Sequence, residues 1–176
     1  AISELFVILT AGIDLSVGSV VGLSGVTTGM ALAAGFHPVL AIVVGLMTGM
    51  VTGLINGVLI AYVGVTPFIV TLGMLSMARG MVWILTKGWP ITEIPESFIV
   101  IGQGRVLGFP VPLLILAFVA LLAFIVLKYL PFGRRVYAIG GNERATELSG
   151  INVRRIKLLV YMISNILASI TGIILV

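Results

Sequence analysis

The 176-residue chain is 60% hydrophobic and only 9% charged, with a formal net charge of +4 and no cysteine. A mean hydropathy of +1.28 excludes an ordinary soluble domain, and the missing thiols exclude disulfides, thiolate metal sites and thiol chemistry. The sequence pI of about 9.9 does not point to nucleic acid, because most basic residues lie at the edges of apolar runs, where they set membrane topology, and no basic-aromatic patch accompanies them.

Four or five apolar runs reach or approach the roughly 20 residues that cross a bilayer. The chain opens without a methionine or a charged leader and stops at Val176 inside an apolar run. It reads as a fragment truncated at both ends, and its first stretch, carrying Glu4 and Asp14, reads as a truncated span and not as a secretory signal. Residues 5–34 are apolar but interrupted by Gly12-Ile13-Asp14-Leu15-Ser16-Val17-Gly18. Thirty residues are too few for two spans and a loop, so a discontinuous helix is expected, with its break at membrane depth. An ionisable residue there is costly and marks a functional site by default. Asp14 also suits a second role, capping the helix that begins near Leu15. The two readings coexist, since a broken helix facing a cavity is how transporters present backbone donors to a solute.

Residues 35–38 form a turn, and His37, the one histidine, reads as an interfacial loop residue with no metal role. The next span, residues 39–63, carries Gly45, Gly49, Gly53 and Gly57 at four-residue spacing. Such a stripe allows close helix packing in lipid, and the glycines at 18, 22, 25 and 29 offer a matching face on the preceding helix. Asn56 lies beside the stripe as a candidate for interhelical hydrogen bonding. After a tight turn, Pro67 suits the first turn of a span over residues 68–86, with Thr71, Ser76 and Arg79 as its polar residues. Arg79 is expected to snorkel to an interface or to pair inside the bundle. Residues 87–112, with prolines, Trp89 and balanced charge, read as a loop with short extended pieces. Residues 113–130 form a featureless span, and another begins at Leu158 with Ser164, Asn165 and Ser169.

Between these last two spans lies a polar island, residues 131–157, with Arg134, Arg135, Arg144, Arg154, Arg155 and Lys157 against Glu143 and Glu147. The positive-inside rule places it in the cytoplasm and residues 87–112 on the opposite face. Gly140-Gly141 breaks what precedes, Asn142 is a good N-cap, Glu143 supplies first-turn negative charge and Ser149-Gly150 a stop. A helix of about two turns, Glu143 to Leu148, remains, and one so short needs a docking surface.

Three strings, GIDLSVGS, INGVLIAYVGVTPFIVTLGM and GRRVYAIGGNERATELSGINVRRIKLLVY, resemble permease subunits of bacterial ATP-binding-cassette importers of the ribose and xylose class. The resemblance implies an all-α, polytopic transmembrane helical bundle, one permease domain over residues 1–176, with a discontinuous helix and a short cytoplasmic coupling helix. It also implies a multi-pass protein of the inner cell membrane, driven by a separate ATPase subunit, fed by an extracytoplasmic solute-binding protein, and working as a dimer with a second permease subunit. Gly140, Gly141, Asn142, Glu143, Ala145, Leu148 and Gly150 become ATPase-coupling residues by match. Asp14, Ser16, Asn56, Thr71 and Arg79 are the candidate substrate-pathway residues. No catalytic or metal constellation, P-loop or proton relay is found in the sequence, so an enzyme or a self-powered transporter is disfavoured and no cofactor is expected. A scaffold would need neither the broken helix nor the capped one. The expected solute is a monosaccharide such as ribose; nucleosides, furanone-type autoinducers and branched-chain amino acids are the alternatives.

Overall fold

The computed structural model describes residues 1–106 and 108–176; Leu107, inside the expected outer loop, lies outside the described residues. The bundle is nearly all helical. A short α1 (Ile2–Ile8) precedes α2 (Val17–Ala33), α3 (Pro38–Val58, prolonged by a π-helical turn over Leu59–Val63) and α4 (Pro67–Thr86). Then come α5 (Glu96–Gln103), a two-residue antiparallel pairing of β1 (Arg105–Val106) with β2 (Phe109–Pro110), and α6 (Val111–Tyr129). The chain closes with α7 (Pro131–Gly141), α8 (Glu143–Leu148) and α9 (Val153–Ile174). Among the described residues, α3 with its π turn, α4, α6 and α9 are long and apolar enough to cross a membrane.

At 17 residues α2 rises only about 26 Å, short of the roughly 30 Å hydrocarbon core. A break therefore precedes it, as the interrupted apolar run predicts. α1 ends in a tight reversal at Ala11, held at φ +56° with its N–H on Ile8 O. Gly12 follows where a side chain has no room, since a Cβ would stand 2.7 Å from Tyr161 Oη and 3.0 Å from a Val7 methyl.

α9 is the most buried of the four spans and α6 the least. The glycine stripe of α3 explains the first of these. A Cβ at Gly53 would lie 2.8 Å from Met162 Cα and Tyr161 O, and one at Gly57 3.0 Å from Leu158 Cα. The stripe thus packs chiefly on α9, and α2 shares only its Gly45 end, through Thr28. The sequence suggested α2 as the partner because its glycines mirror those of α3; of these, Gly25 instead faces the backbone of Gly172 on α9.

Two further expectations are corrected. The outer loop contains α5, whose Phe98 is buried in a cluster with Ala31, Leu32, Ala41 and Ile173. Its flanking prolines and glycines hid a short helix that tertiary burial stabilises. In the polar island, the stretch before Asn142 is helical too. Gly140 and Gly141 end it as expected, and the helix before them forms because Val136 and Ile139 anchor it in a cluster with Val153, Ile156 and Val160 of α9.

Candidate functional site

Three of the expected pathway residues, Asp14, Ser16 and Asn56, meet in one buried cluster. Asp14 is 4% exposed, and its Oδ1 accepts from Ser16 N at 2.9 Å and Ser16 Oγ at 2.5 Å. Its Oδ2 accepts from Asn165 Nδ2 at 2.9 Å and Ser164 Oγ at 3.4 Å on α9. Four accepted hydrogen bonds use the full lone-pair capacity of a carboxylate. The carboxylate does not cap α2 directly; it holds the N–H of Ser16, the N-cap residue, and so fixes the turn into the helix.

α3 enters the cluster through Asn56, whose Nδ2 donates to Ser16 Oγ at 3.0 Å, and Thr52, which donates to Asn165 Oδ1 at 3.4 Å. Asn165 also donates to Tyr161 O, and Tyr161 Oη donates to Ile13 O at 3.3 Å. The break is thus tied on both sides to α9, and through α9 to α3. In a medium without water such pairings replace solvation of groups that would otherwise be orphaned. The sequence marked Ser164 and Asn165 only as polar residues of their span and missed Tyr161. A polar periodicity at 161, 164, 165 and 169 is the signal that could have found them.

Thr71 and Arg79 lie elsewhere. Thr71 is fully buried and donates to Pro67 O within α4, whereas Arg79 is exposed.

The expected coupling residues occupy a second, exposed region. Asn142 Oδ1 accepts from Ala145 N at 2.9 Å, capping α8, and Gly150 ends the motif at φ +82°. Glu143 receives Lys157 Nζ on both oxygens at 2.7 Å, which ties the start of α8 to α9. Arg144 pairs with Glu147 on the surface at 2.9 Å. Thr146 turns inward, and Ala145 and Leu148 face out, Leu148 at 76% exposure. Gly140 presses on the backbone carbonyl of Leu9, where a Cβ has no space, and Gly141 faces open space. A small polar cavity of about 210 Å³ separates Gly140 to Glu143 from Thr10, Pro67 and Lys157, so the break, α4 and the capped helix share one end of the bundle. Among the described residues no cluster of His, Asp and Glu could hold a metal ion.

Residues 1–176 match the family described as branched-chain amino acid transport system, permease component. The chain is 44% identical to the ribose import permease protein RbsC of Bacillus subtilis, over 99% of this chain and 55% of that protein. The ribose import permease of Escherichia coli strain K12 is 42% identical over 99% of this chain and 56% of its own length. The D-allose transport system permease protein AlsC of the same strain is 36% identical over 97% and 53%. The chain spans about half the length of the curated relatives it matches. No solved structure matches it.

Proposed function

Because the chain belongs to this permease-component family, we propose that it forms part of the transmembrane permease subunit of an ATP-driven, binding-protein-dependent importer of a monosaccharide, ribose foremost. The observation that carries the reading is the 44% identity with a ribose import permease across 99% of the chain. Four spans, a clamped broken helix and an outward apolar pair on α8 fit a transport subunit whose energy comes from another protein.

In this reading residues 131–157 face the cytoplasm and residues 87–112 the outside. α8 seats Ala145 and Leu148 in a cleft of an ATPase subunit, with Asn142 and Gly150 bounding the helix and the Glu143–Lys157 pair passing its displacement to α9. A second permease subunit, most simply another copy, completes the path. Asp14, Ser16 and Asn56 hold the break in register with α3 and α9, and so shape the path from behind.

The test is ATP-dependent uptake into liposomes carrying the full-length permease, its ATPase and its binding protein, with ribose, allose, a nucleoside and leucine compared. Ribose uptake above the others is expected. Uptake of leucine or a nucleoside alone would overturn the sugar reading. Ala145→Trp is expected to keep insertion and assembly but abolish both uptake and stimulated ATP hydrolysis; normal values of both would remove the coupling role.

A further inference from the structure

α4 carries an arginine that the polar cluster does not use. Arg79 is the thirteenth of its twenty residues, roughly 18 Å along a helix rising 1.5 Å per residue. Pro67, at the start of α4, lines the same cavity as Gly140 to Glu143, so Arg79 sits in the half of the span nearer the opposite membrane face. It is exposed, and among the described residues it has no ion-pair partner. A guanidinium at this depth faces water or protein, not lipid. Snorkelling to the nearer end runs against helix geometry, since each Cα–Cβ bond tilts toward the N-terminus, here toward the membrane centre.

The residues beside it have matching chemistry. Met74, Ala78, Met81 and Leu85 turn one side of α4 toward α2 and α3. At about 100° per residue, Ser76, Arg79 and Trp83 share the opposite side, and all three are exposed. Ser76 Oγ donates to Leu72 O at 3.2 Å, which leaves its lone pairs free to accept. Trp83 is 64% exposed, and its ring rests against Gly88, where a Cβ would come within 2.8 Å of Cζ3. Gly88 is held at φ +80°, so the turn that ends α4 supports the indole in place.

We propose that Ser76, Arg79 and Trp83 form a ladder of sugar contacts along the solute path, a specificity surface on the side of α4 that faces away from its own bundle. The three groups answer the three features of a neutral monosaccharide. The indole face stacks on the C–H face of the ring. The planar fork of Arg79 donates to neighbouring hydroxyl oxygens. Ser76, one turn deeper, accepts from a hydroxyl proton. A sugar entering from the outer side meets Trp83, then Arg79, then Ser76. The ladder rests on the monosaccharide-importer reading and deepens it.

The test uses cysteine-free full-length permease with its ATPase and binding protein in liposomes, carrying single Ser76→Cys or Ile84→Cys. Ile84 is the control, 76% exposed on another flank of α4. A charged, water-soluble thiol reagent is expected to modify Ser76→Cys at least about tenfold faster than Ile84→Cys, since thiolate forms in water and not in lipid. Saturating ribose with ATP is expected to slow it. Arg79→Gln is expected to lower ribose uptake about 10- to 100-fold while stimulated ATP hydrolysis persists, and Arg79→Lys to stay low, because an ammonium lacks the fork. Equal, slow labelling at both positions would overturn the ladder. So would labelling that ribose leaves unchanged, protection by leucine alone, or full rescue by lysine, which would mark an ion pair with a partner. Ribose uptake with unprotected Ser76→Cys defeats the ladder alone, whereas a wild type that moves no monosaccharide defeats the importer reading with it.

Discussion

The break before α2 and the outward side of α4 both bring a charged side chain into membrane-length segments, and they differ in whether that charge is satisfied. Asp14 accepts four hydrogen bonds and is 4% exposed; Arg79, a comparable burden in lipid, is exposed and has no ion-pair partner among the described residues. A carboxylate whose hydrogen bonds are all made inside a closed cluster helps to specify a packing arrangement, while a guanidinium without an ion-pair partner on an open face is available to something that arrives. The difference separates residues that hold this bundle together from residues that the proposed ladder assigns to a solute, although both sets read alike as intramembrane polar residues.

The largest expected effect breaks the closed region. Asp14→Leu strands the donors of Ser16, Ser164 and Asn165 in a dry site and is expected to cost about 3 kcal/mol, taking roughly 1 kcal/mol per lost partner. Asp14→Asn retains part of the set and is expected to cost about 1 kcal/mol. Melting in detergent measures both, and an Asp14→Leu protein as stable as wild type but inactive would assign Asp14 to the solute path instead. Gly53→Leu comes next: a side chain forced against the α9 backbone is expected to cost about 1–3 kcal/mol.

Gly80→Leu sharpens the contrast, since nothing lies within 4 Å of a Cβ at that position on α4. Its melting temperature is expected to match wild type within experimental scatter, whatever happens to uptake. A loss as large as that of Gly53→Leu would show that α4 is packed there. Smaller still is Arg144→Ala, which removes an exposed i,i+3 pair contributing about 0.3 kcal/mol. No change in melting is expected. A drop of several degrees would place Arg144 in a tertiary contact that its exposure does not suggest.

Much of this is legible in the sequence alone. The interrupted apolar run at residues 12–18, the short helix Glu143–Leu148 capped by Asn142, and the four long spans all follow from local chemistry: capping residues, glycine, proline and apolar length act within a few residues of themselves. α5 was not legible, because its formation depends on burying Phe98 among residues of α2, α3 and α9. Nor was the length of α7, whose Gly-Gly end signals termination while its Val136 and Ile139 are held by a helix that begins twelve residues after α7 ends.

By itself the sequence determined that this is a polytopic helical membrane protein, where its chain breaks, and which family it resembles, since hydropathy and motif are properties of contiguous residues. Only the tertiary structure decided that the glycine stripe of α3 packs chiefly on α9, that Asp14 is closed off by partners about 150 positions away in the sequence, and that Ser76, Arg79 and Trp83 turn away from the bundle. Those outcomes depend on which helix faces which. Lipid supplies no hydrophobic preference between one apolar helix and another, so close backbone approach and buried hydrogen bonds make that choice.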